Sequence, residues 1–559
     1  MTDPRPWLEQ YPNGLPANID SSNYPSLISF LEETMSKYDT HPAFMNMGKT
    51  ITFGEANRLS DQLAAYLHSR GLKPGDRIAI MMPNLLQSPI ALFGALKAGL
   101  IVVNTNPLYK PREMRHQFVD SEVKGIIIAD MFASNLEQIL DATEINTIIL
   151  TSIGEMIGGL KGKIVDLVVK KVKKMVPKYN LPNTVKFNEA LKVGKKFKVM
   201  DFERKPEDVI FHQYTGGTTG VSKGAMLTNK NMVSNVLQIK VVMQTVLEEK
   251  KEMVLTPLPL YHIFALTANL FGMMSLGVTN VLVTNARDLP SVIKEFKTQP
   301  ISVFTAVNTL FKALLNHKDF RALDFSKLKV AVGGGMAVQD VVAAEWYKVT
   351  GITLSEGYGL TESSPLASIN PLDGSARIGT IGLPASSTYM RIVDESGKQL
   401  EAGEIGEIQI KGPQIMKGYY KKPEETADAL KDGWLCTGDI GIMEPDGYFR
   451  IVDRKKDMIL VSGFNVYPND IEEVVSAHPK VLEVAAIGIP SEKSGEVVKL
   501  YVSKKDKSLT VKELTQYCRE NLTNYKVPKE IEFIKEMPKT NVGKILRRAL
   551  REMENQSTE

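Results

Sequence analysis

Apolar and polar positions along the first 150 residues change repeatedly between two periods. Residues 27–38 and 53–70 carry apolar side chains at helical spacing and flank a short β ribbon, so two amphipathic helices are expected there. Residues 77–82, 85–97 and 100–104 read as strand, helix and strand, and 123–129, 135–142 and 145–151 repeat that unit. Apolar strands separated by helical segments imply largely parallel sheets covered by helices, an α/β fold. Over 378–452 the pattern turns to short alternating strands broken by glycines, which predicts a distorted β-barrel or sandwich. Past Lys456 a small α+β module follows, with helices at 471–477 and 511–522 and strands at 484–489, 498–503 and 531–534.

The sharpest departure from these patterns is Gln213-Tyr214-Thr215-Gly216-Gly217-Thr218-Thr219-Gly220-Val221-Ser222-Lys223-Gly224-Ala225. A strand at 208–211 precedes it, and Thr228 or Asn229 caps a helix beginning near Asn231, so the loop is expected to join a strand to a helix. Glycines let backbone N–H groups face an anion, the hydroxyls add donors, and Lys223 brings a mobile charge, which suits a polyphosphate. A Walker A reading fails because Ser222 precedes the lysine and Gly224 follows it. Gly220 to Gly224 satisfies G-x-S-x-G, which puts Ser222 forward as a hydrolase nucleophile, yet an elbow is one sharp strand-to-helix turn and several loop residues intervene here. A flexible linker is the third alternative.

Further stretches carry candidate chemistry. Gly333-Gly334-Gly335 ends an apolar strand and lets a flat ligand approach the backbone, without forming a dinucleotide fingerprint. In Glu356-Gly357-Tyr358-Gly359-Leu360-Thr361-Glu362, glycines around a tyrosine make a slot for a purine, while Thr361 and Glu362 offer a hydroxyl and a carboxylate suited to phosphate and Mg²⁺; a turn with a packed tyrosine is the bland alternative. Asp439 can accept from both hydroxyls of a ribose. His262 lies in a turn within 257–264, where a structural role competes with a catalytic one. Lys544 follows a glycine-containing turn at the start of a basic helix, from which it can swing onto developing phosphate charge; a solvated basic tail is the alternative.

Residues 160–176 combine apolar positions at helical spacing with six lysines. The preferred reading is a helix packed on its own domain with its lysines in water; peripheral contact with an anionic inner membrane is the other.

A chain of 559 residues exceeds one compact core and implies two or more domains. Its net charge of +4 gives no ground for nucleic-acid binding. Cys436 and Cys518 form neither a metal spacing nor a disulfide scaffold, which suits a reducing cytoplasm. The longest mostly apolar window, 263–278, is interrupted by Asn269 and is too short to span a bilayer.

The ordered motifs Met82-Pro83-Asn84, Asn106-Pro107-Leu108-Tyr109, 213–225, 257–264, 356–362, 453–468 and 538–548 closely resemble, over essentially the whole length, the bacterial long-chain fatty-acyl-CoA synthetases of the adenylate-forming superfamily. Gly217 departs from the usual serine or threonine of the phosphate loop, and Val542 from the usual hydroxyl residue near Lys544. The resemblance implies a large N-terminal adenylation domain, 1–453, and a small mobile α+β lid, 454–559, with long-chain fatty acid, ATP, Mg²⁺ and coenzyme A as reactants and cofactors. It implies that Thr215, Gly216, Gly217, Thr218, Thr219, Gly220 and Lys223 hold the β- and γ-phosphates. Gly333, Gly334, Gly335, Gly357, Tyr358 and Gly359 would bound the adenine, and Asp439 and Arg454 the ribose. Thr361 would touch the α-phosphate, Glu362 would bind Mg²⁺, and His262 would border the carboxylate entrance. Lys544 would drive adenylation, Lys456 would be the hinge, and Gly463 would line the pantetheine path. Three rivals stay open: an acyl-AMP ligase loading a carrier protein, a thioesterase using Ser222, and a non-catalytic binder. Acyl length and homodimer formation are also open.

Overall fold

The computed structural model describes residues 5–215, 222–462, 464–491, 494–540 and 543–558. Two sheets dominate its larger part. The first has nine strands in the order Leu383–Pro384, Leu366–Ile369, Leu354–Gly359, Val330–Gly334, Val303–Ala306, Met253–Thr256, Thr279–Leu282, Pro42–Asn46 and Lys49–Thr52. Pairing is parallel from Leu354–Gly359 through Pro42–Asn46 and antiparallel only toward the two edges. The second has eight, ordered Gly418–Tyr419, Gly224–Thr228, Val209–Tyr214, Ile101–Asn104, Arg77–Met81, Val123–Ala129, Thr147–Thr151 and Thr184–Lys186.

Interior strands of parallel sheets are buried on both faces, which is why they read as unbroken apolar runs. A file of aromatic rings joins the two sheets: Phe44 lies 6.2 Å from Phe93, Phe93 6.4 Å from Phe271, and Phe271 6.3 Å from Phe211. Phe93 sits on the helix Gln87–Lys97, every residue of which is buried, and Phe271 on the buried π-helix Ala265–Gly272. That second helix is the apolar window of the sequence. Its Asn269 donates to Thr256 Oγ1 and accepts from Thr305 Oγ1, so the interruption is a satisfied core polar group. Among the described residues no helix is long and apolar enough to cross a membrane.

Four local expectations change. The glycine-rich loop does not run from strand to helix: Val209–Tyr214 pairs antiparallel with Gly224–Thr228, and only then does the helix Asn229–Met243 begin, capped by Thr228. Gly224 and Ala225 carry little strand propensity, so the returning strand looked like loop. It forms because it can pair on both sides, with Tyr214 packed so closely that a Cβ on Gly224 would stand 3.0 Å from its ring. The helix expected over 135–142 breaks into Ala133–Glu137 and a short turn, Leu140–Ala142. The distorted barrel or sandwich expected over 378–452 takes the form, among the described residues, of a five-stranded antiparallel sheet whose pairing path does not close, ending at the two-residue strand Leu430–Lys431.

The fourth concerns residues 160–176. The helix Gly159–Leu167 and the π-turn Val168–Val172 dock through their polar side, not their apolar side. Asp166 accepts from Ser152 Oγ at 2.7 Å and Gly154 N at 2.8 Å, Lys170 pairs with Asp130 at 2.8 Å, and Lys161 donates to the Met47 carbonyl. Leu160, Ile164, Leu167, Val172 and Met175 all face solvent.

The C-terminal module is a separate five-stranded sheet with its own core, including Ile471, Val475, Leu500, Val502, Leu514 and Cys518. Its final helix, Arg547–Thr558, is fastened by Arg547, which donates to Glu472 and Asn469 and pairs with Asp457.

Candidate functional site

The site is assembled at strand ends of the first sheet. Register places Gly333 opposite Glu356 and Gly334 opposite Gly357. A Cβ on Gly333 would stand 2.4 Å from Val338 Cγ2 and one on Gly334 3.0 Å from the Phe264 ring, so either would require its neighbour to shift. Gly335 turns the chain at φ +77°, a left-handed conformation that favours glycine. Glu356 accepts from Val338 N at 3.1 Å, and burial pushes its carboxyl up to about 8.

Tyr358, Asp439 and Arg454 come together from three strands. The Tyr358 hydroxyl donates to Asp439 Oδ2 at 2.6 Å, and Asp439 Oδ1 pairs with Arg454 Nε at 2.8 Å. Asp439 and Arg454 face each other in the ladder between Trp434–Met443 and Phe449–Arg454, so pairing register sets their contact. Burial and the adjacent carboxylate hold the Tyr358 hydroxyl protonated, a permanent donor. Gly359 abuts the chain at Pro365, whose carbonyl would lie 2.0 Å from any Cβ there.

Thr361 and Glu362 occupy the short turn Thr361–Ser363. Glu362 Oε1 accepts from the Tyr419 hydroxyl at 2.6 Å, and Lys223 Nζ lies 5.1 Å from the centre of the Tyr419 ring. Tyr419 therefore joins the end of the glycine-rich loop to the acidic turn, a role nothing in its local sequence marks. It reaches both because Gly418–Tyr419 pairs with Gly224–Thr228 as the sheet's edge strand. Thr215 closes the base of the loop, its N–H donating to the Lys223 carbonyl at 3.0 Å.

His262 and Lys544 meet at a small cavity lined with Leu258, Pro259, Phe264, Val307 and Gly335. Asn84 shapes its rim: Nδ2 donates to the Thr256 and Leu258 carbonyls and Oδ1 accepts from Leu260 N. Gln213, itself accepting from Asn104 Nδ2, donates to the Tyr261 carbonyl at 2.8 Å. Burial, and then the Lys544 charge, lowers His262 to about 4, so its imidazole is neutral at pH 7. Burial and the neighbouring Arg454 lower Lys544 to about 8, against the opposing pull of Asp439 and Glu362. Lys456, in the turn after Phe449–Arg454, is lowered to about 8 by burial and by Arg454; it lines no part of this cavity.

Gly216, Gly217, Thr218, Thr219, Gly220, Gly463 and Val542 lie outside the described residues. Ser222 is described, and it precedes a β-strand, not a helix, with its carbonyl accepting from His116 Nε2 at 3.0 Å. That is not the geometry of a nucleophile elbow.

Residues 31–420 match the model of the AMP-binding enzymes, and residues 470–544 that of the AMP-binding enzyme C-terminal domain. The chain belongs to the AMP-binding enzyme family. The second match ends at Lys544 itself. Among curated relatives of this AMP-binding enzyme, the long-chain-fatty-acid–CoA ligase of Salmonella typhimurium is 53% identical over 547 residues, covering 98% of each chain. That of Haemophilus influenzae is 50% identical over 551 residues, again covering 98% of each. A crystal structure of the anthranilate CoA ligase AuaEII in complex with anthranoyl-AMP superposes with a TM-score of 0.86 over 97% of this chain and 100% of that one, at 24% identity, a likeness of fold.

Proposed function

We propose that this AMP-binding enzyme converts long-chain fatty acids to acyl-CoA in two steps, adenylation by ATP with release of pyrophosphate, then displacement of AMP by coenzyme A. Full-length likeness to long-chain-fatty-acid–CoA ligases supports the substrates. The observation that carries the chemistry is the entry of Lys544, from the C-terminal module, into the cavity bounded by His262 and Gly335.

A carboxylate resists nucleophilic attack because the attack adds charge to an anion. Joining it to AMP replaces that charge with a leaving group. Negative charge accumulates around the α-phosphorus during the transfer, and fixed donors in a dry site stabilise it without reorganising. In this reading Lys544 and Thr361 face that phosphorus, and Thr215 and Lys223 hold the outer phosphates together with Gly216, Gly217, Thr218, Thr219 and Gly220. Tyr358 and Gly333 to Gly335 flank the adenine, Asp439 and Arg454 take the ribose, and neutral His262 borders the fatty carboxylate. Among the described residues no group of three or more His, Cys, Asp or Glu could hold a metal ion. One carboxylate, Glu362, fits Mg²⁺, which takes phosphate oxygens and water for the rest of its shell. When bound there, Mg²⁺ supplies charge neutralisation to the phosphates.

The second step needs a thiol where Lys544 now stands. We place the domain boundary at Asp453, the hinge at Lys456 and the pantetheine path beside Gly463, so that one lid presents two faces in turn.

The exposed apolar row Leu160, Ile164, Leu167, Val172 and Met175, with the exposed Lys163, Lys171, Lys173 and Lys174, supports peripheral contact with an anionic lipid surface, the phase in which a long-chain fatty acid resides.

The test is incubation with ATP, palmitate and coenzyme A. AMP, pyrophosphate and loss of free thiol should appear in equal amounts. Pyrophosphate and palmitoyl-AMP with thiol intact and no free AMP would instead indicate a carrier-protein ligase, and cleavage of added palmitoyl-CoA without ATP a thioesterase.

A further inference from the structure

The helix Asn308–Leu315 of the large domain touches the C-terminal module at two points spaced one turn apart. Thr309 packs against the turn that carries the catalytic lysine: a Cβ added to Gly543 would stand 2.6 Å from Thr309 Oγ1. One turn along, Lys312 donates through Nζ to the backbone carbonyl of Leu482. Residues three apart share one helix face, so both contacts belong to a single surface.

Leu482 is available for a local reason. Strand Val481–Ser491 pairs with Gly495–Lys504 in a register that shifts between Val481 and Glu483, whose partners Lys504 and Ser503 are consecutive. Leu482 is the extra residue of this β-bulge, and a bulged residue leaves the ladder and re-aims its polar groups. The next residue continues the path: Glu483 pairs with Lys539 at 2.6 Å, and the backbone of Lys539 bridges to Ile545, neighbour of Lys544. The bulge thus receives a cation from the large domain and anchors the turn bearing Lys544. Lys505 and Lys539 are the like charges near Lys312, and Glu483 opposes them.

We propose that Lys312 is a positioning residue for the adenylation half-reaction: by docking on the bulged Leu482 carbonyl it fixes the lid in the orientation that delivers Lys544, and it releases that carbonyl when the lid turns to admit the thiol. This rests on the two-faced lid described above. Lys312 touches no reactant, so its removal acts on one half-reaction only.

The experiment compares the two steps in Lys312→Met, with Lys312→Gln as a second variant should the first fail to fold. Palmitate-dependent ATP–pyrophosphate exchange should fall about tenfold, the scale of a lost hydrogen bond from a charged donor. Thioester formation from synthetic palmitoyl-AMP and coenzyme A should persist, the thermal midpoint should hold, and Lys312→Arg, which keeps a cationic donor, should restore exchange. Unchanged exchange, or equal loss of both steps, overturns the assignment. Lys544→Ala run in parallel separates the causes. If it too lowers both steps equally, the two-faced lid fails; if it lowers exchange alone while Lys312→Met does not, only the role of Lys312 falls.

Discussion

The Cε atom of Lys544 lies 3.6 Å from where a Cβ on Gly335 would stand, although the two are 209 positions apart in the chain, 544 − 335. A Cβ at 335 would meet the lysine in ordinary contact but would strain a backbone at φ +77°. Lys544→Ala should therefore remove charge stabilisation without disturbing the fold. We expect adenylation to fall by roughly 10² to 10³, the scale of one lost donor in a preorganised site. Thioester formation from synthetic acyl-AMP should survive, and single-turnover assays of each half-reaction measure the split.

The pH profile should report the same lysine. Its pKa is depressed to about 8, so the ammonium is present below that value and lost as pH rises through it. The kcat/KM of pyrophosphate exchange, which reflects groups of the free enzyme, should decline above about 8. Lys544→Arg should carry that limb to higher pH. His262, lowered to about 4, should give no limb near neutrality.

Tyr419 holds Glu362 by a single hydroxyl at 2.6 Å while its ring faces Lys223. Tyr419→Phe keeps the ring and deletes the donor. A hydrogen bond to a charged acceptor contributes about 1.5–3 kcal/mol, so the Mg²⁺ concentration needed for half-maximal exchange should rise about tenfold or more. Calorimetric binding of Mg²⁺-ATP should weaken in parallel, and an unaltered titration would remove Tyr419 from the site.

Lys456→Pro stiffens the proposed hinge by fixing φ. Adenylation should persist and thioesterification should suffer. Normal transfer from acyl-AMP to coenzyme A would move the hinge elsewhere.

Replacing Leu160, Ile164 and Leu167 together by serine should leave activity on palmitate in detergent intact, because none of the three packs inside the protein. Co-sedimentation with vesicles of mixed phosphatidylglycerol and phosphatidylethanolamine should drop. Equal sedimentation of parent and variant would dismiss this face as the lipid contact.

Much of the fold could be read along the chain because its information is local. Period and punctuation located the strands Val123–Ala129 and Val330–Gly334 and the helices Leu27–Lys37 and Phe53–Ser69 to within a few residues. The strand Gly224–Thr228 escaped that reading, since its glycine and alanine are extended only through the ladders on either side. Residues 160–176 were legible as a helical stretch of lysines and apolar side chains. Which side would dock was not, because that depended on Asp130, Ser152 and Gly154 waiting elsewhere.

By itself, then, the sequence determined the kinds of chemistry on offer: flexible glycines, hydroxyls, a tyrosine set between glycines and a late lysine, each set by residue type. Only tertiary structure decided their company. Asp439 meets Arg454 through antiparallel register, Tyr419 reaches Glu362 from an edge strand, and Lys312 finds a carbonyl that a bulge has freed. Such contacts join segments distant in the chain, and pairing and packing fix their distances while local pattern carries no record of them.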